Sequence, residues 1–91
     1  MPKYVIERDI PDVGKMNAEQ LRGASQTSCS VLDKLGSDIQ WIHSYVTDNK
    51  IYCIYTAPSV ELIEQHARET GFPANKISEV KALIDPTRAN A

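Results

Sequence analysis

Cysteine, glycine and aromatic rings other than tyrosine are scarce in this chain of 91 residues, which has two cysteines, four glycines, one tryptophan and one phenylalanine. Cys29 and Cys53 are too few for a disulfide scaffold and fall on different predicted elements, so both are expected to be reduced and not joined. No Cys-x-x-Cys or His-x-x-x-His spacing occurs, so any metal site has to be assembled from separate elements. There is no glycine-rich phosphate loop and no dinucleotide fingerprint. No apolar run approaches the ~20 residues of a membrane-spanning helix. The formal net charge is −2 with both signs scattered, which argues against a nucleic-acid footprint or a polybasic membrane patch. Met1-Pro2-Lys3-Tyr4 enters a strand pattern at once, with no basic segment leading into an apolar one. The expectation is a cytoplasmic protein without a secretory signal.

What is present is strong patterning between Ile39 and Thr56. Two β-branched and aromatic runs flank Asp48-Asn49, the signature of a β-hairpin with a two-residue loop. Pairing Thr47 with Lys50 sets Tyr45 opposite Tyr52, His43 opposite Ile54 and Trp41 opposite Thr56. Those residues then share one sheet face, and Ile42, Ser44, Val46, Ile51, Cys53 and Tyr55 share the other. Neither face suits water.

Around the hairpin the elements follow in order. Lys3 to Ile10 reads as a strand closed by Pro11. Asn17 caps a helix through Gln20, and Leu21, Ala24, Ser28, Leu32 and Leu35 form its apolar stripe up to Gly36. Ser59 is the expected cap of a second helix running to Thr70 and stopped by Gly71. Ile77 to Ile84 reads as the last strand. Strand, helix, strand, strand, helix, strand gives an α+β ferredoxin-like sandwich, an antiparallel sheet ordered 4-1-3-2 with both helices on one face. Residues 1–86 form the single domain and 87–91 a small polar, flexible tail.

Such a sheet leaves its second face bare. Val5, Glu7 and Asp9 are placed on it, as are Ile77, Glu79, Lys81 and Leu83, with Val80, Ala82 and Ile84 turned to the helices. Arg8 then joins Tyr4 and Ile6 on the helix side, an awkward position for a cation. Trp41, Tyr45 and Tyr52 would make the open face unusually aromatic for a monomer, which marks it for a second chain or a bound small molecule. Two such faces packed together give a homodimer of α/β-barrel shape.

His43, among those rings and near Glu7, is the first candidate for chemistry, as metal ligand or proton carrier. A half-buried histidine bonded to a tyrosine hydroxyl is the plainer assignment. His66 lies within the apolar arc of the second helix, where a backbone-bonded histidine is the usual finding. Cys53 reads as a small core residue. Cys29, at the border of the first helix's stripe, could reach a metal but has no visible cause of reactivity. Ser25 and Ser28 resemble a nucleophile cluster only superficially; with no paired His and Asp, both are expected to bond back to a carbonyl one turn earlier.

Several stretches together carry a family resemblance: Met1-Pro-Lys-Tyr-Val-Ile-Glu-Arg8, Ser28-Cys-Ser-Val-Leu32, the hairpin from Gln40 to Cys53, His66-Ala-Arg68 and Gly71-Phe-Pro-Ala74. The chain resembles, over nearly its whole length, a bacterial family of small ferredoxin-like proteins classed as a domain of unknown function, some members of which are described as nickel-binding. That resemblance implies the same fold, an α/β-barrel-like dimer and Ni²⁺ binding, with other divalent transition metals left open. It supplies no ligand set; His43, Glu7, Cys29 and His66 are candidates by chemistry, since imidazole and carboxylate suit Ni²⁺. A different expectation from the fold is a dimeric α+β-barrel enzyme, such as a cofactor-free or haem-dependent oxygenase, and a third is a regulatory interaction module.

Overall fold

The computed structural model describes residues 1–90. Four strands, β1 (Lys3–Asp9), β2 (Gln40–Val46), β3 (Lys50–Thr56) and β4 (Lys76–Glu79), alternate with two helices, α1 (Ala18–Leu35) and α2 (Val60–Thr70). All neighbouring strands are antiparallel, in the order β2-β3-β1-β4 from one edge and so 4-1-3-2 from the other. Both helices lie against the face that carries Tyr4, Ile6, Cys53 and Tyr55, which with Ile39, Ala57 and Ile63 make the core.

Local chemistry explains the element ends. The Asn17 side chain accepts from the Gln20 amide at 2.8 Å and the Gln20 side chain accepts from the Asn17 amide at 3.0 Å, a reciprocal cap. Gly71 ends α2 in the left-handed conformation at φ 79°, where a side chain would be strained. Ser59 stands at the start of α2 but makes no side-chain cap. Asp48-Asn49 forms the hairpin loop, closed by Thr47 N–H donating to Lys50 O at 2.9 Å.

Two face assignments change. His43 opposes Ile54 and Tyr45 opposes Tyr52, but Trp41 opposes Tyr55 instead of Thr56, because Ile42 is an extra residue in β2. A bulge of this kind shifts every residue beyond it to the other face. Trp41 therefore leaves the open face and stacks near Tyr55, ring centroids 6.4 Å apart, with its indole N–H donating to Ser44 Oγ at 2.9 Å. Burying the ring while satisfying its one donor is the gain that drives the bulge.

The last strand is also reversed and shortened. Ile77 pairs with Ile6 and Glu79 with Tyr4, so both turn to the helices, while Lys76 and Ser78 take the open face beside Glu7 and Val5. Val80 N–H donates to Lys3 O at 2.7 Å. Beyond it the chain leaves the sheet, and Leu83 and Ile84 are 65% and 78% exposed. The terminal stretch contains a 3-10 turn at Pro86–Asn90, opened by Asp85 accepting from Thr87. Ala91, the end of the expected tail, lies outside the described residues.

Candidate functional site

On the open face, β1, β3 and β2 set Val5, Ile54 and His43 in one row and Glu7, Tyr52 and Tyr45 in the next. His43 is exposed and meets Tyr45 edge-on, ring centroids 5.0 Å apart. Tyr45 is 59% exposed and Ile42, at the bulge, is exposed too, whereas the exposed Val46 pairs with Ile51 on the other face. Lys50 Nζ bridges Glu7 and Asp9, 3.5 Å from each. Glu7 lies two strands from His43, a separation of about 10 Å at the usual strand spacing. One chain does not close these two side chains on one ion.

The other candidate ligands lie elsewhere. Cys29 is exposed on α1 and His66 is buried behind the sheet, so the structure separates the four residues His43, Glu7, Cys29 and His66 into three places. Among the described residues no group of three or more His, Cys, Asp or Glu gathers around a common point. Cys53 is buried and both thiols are free, as the sequence implies. Ser25 Oγ donates to Leu21 O at 2.9 Å, one turn back.

The helix side of the sheet holds the more developed site. Between α1 and the sheet is a cavity of about 560 Å³, walled by Leu21 and Ala24 of α1, Trp41 and Tyr55 of the sheet, and Val13 and Phe72 of the loops. This volume is typical of a small-molecule pocket. Arg8 lines it and is only 2% exposed. Its Nε donates to Cys53 Sγ at 3.4 Å and its Nη1 to Pro73 O at 2.8 Å, with Cζ 5.9 Å from the centre of the Phe72 ring. Among the described residues no carboxylate forms an ion pair with it.

Beside Arg8 runs a buried polar chain. Ser28 Oγ is 3.1 Å from Tyr55 Oη and 3.1 Å from His66 Nε2. His66 Nδ1 has no partner among the described residues. A buried N–H without an acceptor is rarer than an unused lone pair, which places the ring proton on Nε2. Burial raises the pKa of Tyr55, partly offset by its Ser28 bond and by the nearby Arg8 charge. Ser28 departs from the expectation it shared with Ser25: its hydroxyl does not bond back along the helix but reaches across to Tyr55 and His66, because it faces the core. Tyr55 carried no signal beyond its place on the helix-facing side of β3.

Burial, and secondarily the Arg8 charge, lowers the pKa of His66. The unfolded chain therefore takes up a proton near the ordinary value of about 6.5 while the fold still resists one. Stability from this residue is complete above that pH and is lost as pH falls from there towards the lowered folded value. Urea midpoints should thus drop between about pH 7.5 and pH 5.5, and less so in His66→Gln. Equal drops in the two proteins would contradict the assignment.

The model of a family described as nickel responsive protein SCO4226-like matches residues 4–80. The chain belongs to that family. The structure is similar to a crystal structure of SCO4226 from Streptomyces coelicolor A3(2), with a TM-score of 0.76 and 19% sequence identity over 90% of this chain and 99% of that one. At that identity the likeness bears on the fold alone. No curated protein matches the chain. Among the described residues no helix of this SCO4226-like protein is long and apolar enough to cross a membrane.

Proposed function

We propose that this protein is a small cytoplasmic nickel-binding module that works as a homodimer, its open sheet faces meeting and holding Ni²⁺ through His43 and Glu7 contributed by facing copies. The observation that carries this reading is the exposed His43 and Tyr45 on a sheet face that also carries half-buried Val5, Tyr52 and Ile54, with a carboxylate two strands away. The family's description as nickel responsive supports the choice of metal. Imidazole and carboxylate fit Ni²⁺, and such sites hold it more tightly than Mn²⁺, Fe²⁺ or Co²⁺. Among the described residues a single chain gathers no group of three or more such ligands. The second copy and water complete the coordination.

Calorimetric titration with Ni²⁺, paired with sedimentation, tests this. Wild type should bind Ni²⁺ as a dimer, with affinity falling on acidification because a protonated imidazole cannot ligate. His43→Ala should weaken binding about tenfold or more, or roughly 1.4 kcal/mol and upward. Tyr45→Glu places an unpaired charge at the interface and should yield a monomer without metal affinity. A His43→Ala protein that binds Ni²⁺ as wild type does would remove the site from this face. The second reading, an oxygenase of dimeric α+β-barrel type, is favoured by the cavity behind the sheet. It calls for oxygen consumption or a haem absorbance band, which a nickel-holding dimer does not require.

A further inference from the structure

Arg8 and the cavity it lines carry a separate conclusion. A guanidinium removed from water is costly unless it is paired with a counter-charge. Its protein partners are weak for a full charge: one thiol sulfur, one carbonyl and the edge of a cation–π contact with Phe72. Glu7 and Asp9, its neighbours in sequence, are both held by Lys50; Glu7 is on the opposite face of the sheet, and Asp9 borders the cavity with its carboxylate engaged by Lys50. The neutral Tyr55 hydroxyl also interacts with the guanidinium, and among the described residues no other acceptor meets Nη2. Only neutral groups meet the charge and no carboxylate pairs with it, beside a space large enough for a ligand.

A second donor points the same way. With its proton on Nε2, His66 donates to Ser28 Oγ, and Ser28 and Tyr55 share one further hydrogen bond in which either hydroxyl can donate. When Ser28 is the donor, the phenolic proton of Tyr55 is free for a ligand, and Tyr55 lines the same cavity as Arg8. The remaining walls are mainly apolar, from Val13, Leu21, Ala24, Trp41 and Phe72. Walls of that kind hold ordered water poorly.

We propose that the cleft between α1 and the sheet binds a small organic monoanion with a hydrophobic body, its carboxylate paired with Arg8 Nη2 and the Tyr55 hydroxyl and its body against Trp41, Phe72 and Leu21. A phosphate dianion fits less well, because Arg8 is the only cation on the cavity wall and apolar groups make up most of it. A metal cation is repelled by the same charge. The site is therefore independent of the nickel reading, and either can fail without the other.

Trp41 is the only tryptophan and lines the cavity, so its fluorescence reports occupancy directly. The probes are octanoate and 3-phenylpropanoate, each compared with its uncharged alcohol, 1-octanol and 3-phenylpropanol. At least one carboxylate should shift Trp41 emission saturably and bind about tenfold more tightly than its alcohol, since a charge-assisted pair exceeds a neutral contact by about that factor. Arg8→Met removes the charge while keeping an unbranched side chain, and should erase the preference without changing alcohol binding. Tyr55→Phe should weaken carboxylate binding severalfold and leave the alcohol unchanged. Ala24→Phe fills the cavity from the helix side and should abolish binding of both, which keeps the proposal exposed if Arg8→Met fails to fold. Neither carboxylate binding, equal affinity for acid and alcohol, or Ala24→Phe binding octanoate as wild type does would each overturn it.

Discussion

Ile6→Ala should destabilise the protein by about 2–5 kcal/mol, the range for removing most of a fully buried aliphatic side chain and leaving a cavity. Ile6 is completely buried on β1, between β3 and β4, opposite Cys53 on one side and Ile77 on the other. Its neighbours are held in paired strands and cannot collapse far into the space. A domain of this size has about 5–15 kcal/mol in total, so the loss is a large share of it. Each kcal/mol should lower the thermal midpoint by about 4–8 °C. Ile84→Ala is the comparison. By hydropathy Ile84 resembles Ile6, and the strand pattern places it in the core. The structure leaves it 78% exposed, so its truncation should change stability by less than about 0.5 kcal/mol. Urea unfolding of both variants decides the matter, and similar losses at the two positions would refute the observed end of the sheet.

Gly14→Ala should cost about 1–3 kcal/mol, for a reason no helix or strand propensity contains. Gly14 sits in a 3-10 turn at Val13–Lys15, and its N–H donates to Asp48 O at 3.1 Å at the tip of the hairpin. A β-carbon there would lie 2.8 Å from the Thr47 carbonyl oxygen and 2.9 Å from Asp48 Cα. Both are backbone atoms, so the hairpin tip must move away. Asn49 would lose its grip as well, since its side chain accepts from Asp12 N–H at 3.0 Å and its carbonyl from Ile10 N–H at 3.0 Å. Val13 and Val46, which line the cavity, sit on either side of this contact. Gly23→Ala should act in the opposite direction. That position is within α1 with nothing within 4 Å of an added β-carbon, so alanine should stabilise by about 0.5–1 kcal/mol. Chemical denaturation of the pair measures both signs, and a Gly14→Ala protein as stable as wild type would show that the hairpin tip does not pack as described.

Much of the architecture is legible in the residues themselves because its causes are local. The Asn17–Gln20 cap, the stops at Gly36 and Gly71, the Asp48-Asn49 turn and the alternation along Lys3–Asp9 all depend on neighbours within a few positions. Element order then follows from these. The register of Tyr45 with Tyr52 is likewise set by the two-residue loop between them.

The sites were less legible, because single long-range choices set them. The bulge at Ile42 turns Trp41 inward only because Tyr55 and Ser44 are there to receive its ring and its N–H. β4 ends at Glu79, and pairing of Ile77 with Ile6 decides which of its side chains face the helices. Arg8 shows the division most clearly. Its phase with Tyr4 and Ile6 was already written in the chain and determined that it points at the helices. Whether a cation could stay there depended on Cys53, Pro73 and Phe72, 45 to 65 residues away in sequence, together with the cavity that α1 leaves open. Hydropathy and spacing determine the strands and helices through short-range sterics and hydrogen bonding. Only tertiary packing decides which buried polar groups find partners, because those partners come from segments the local pattern does not relate.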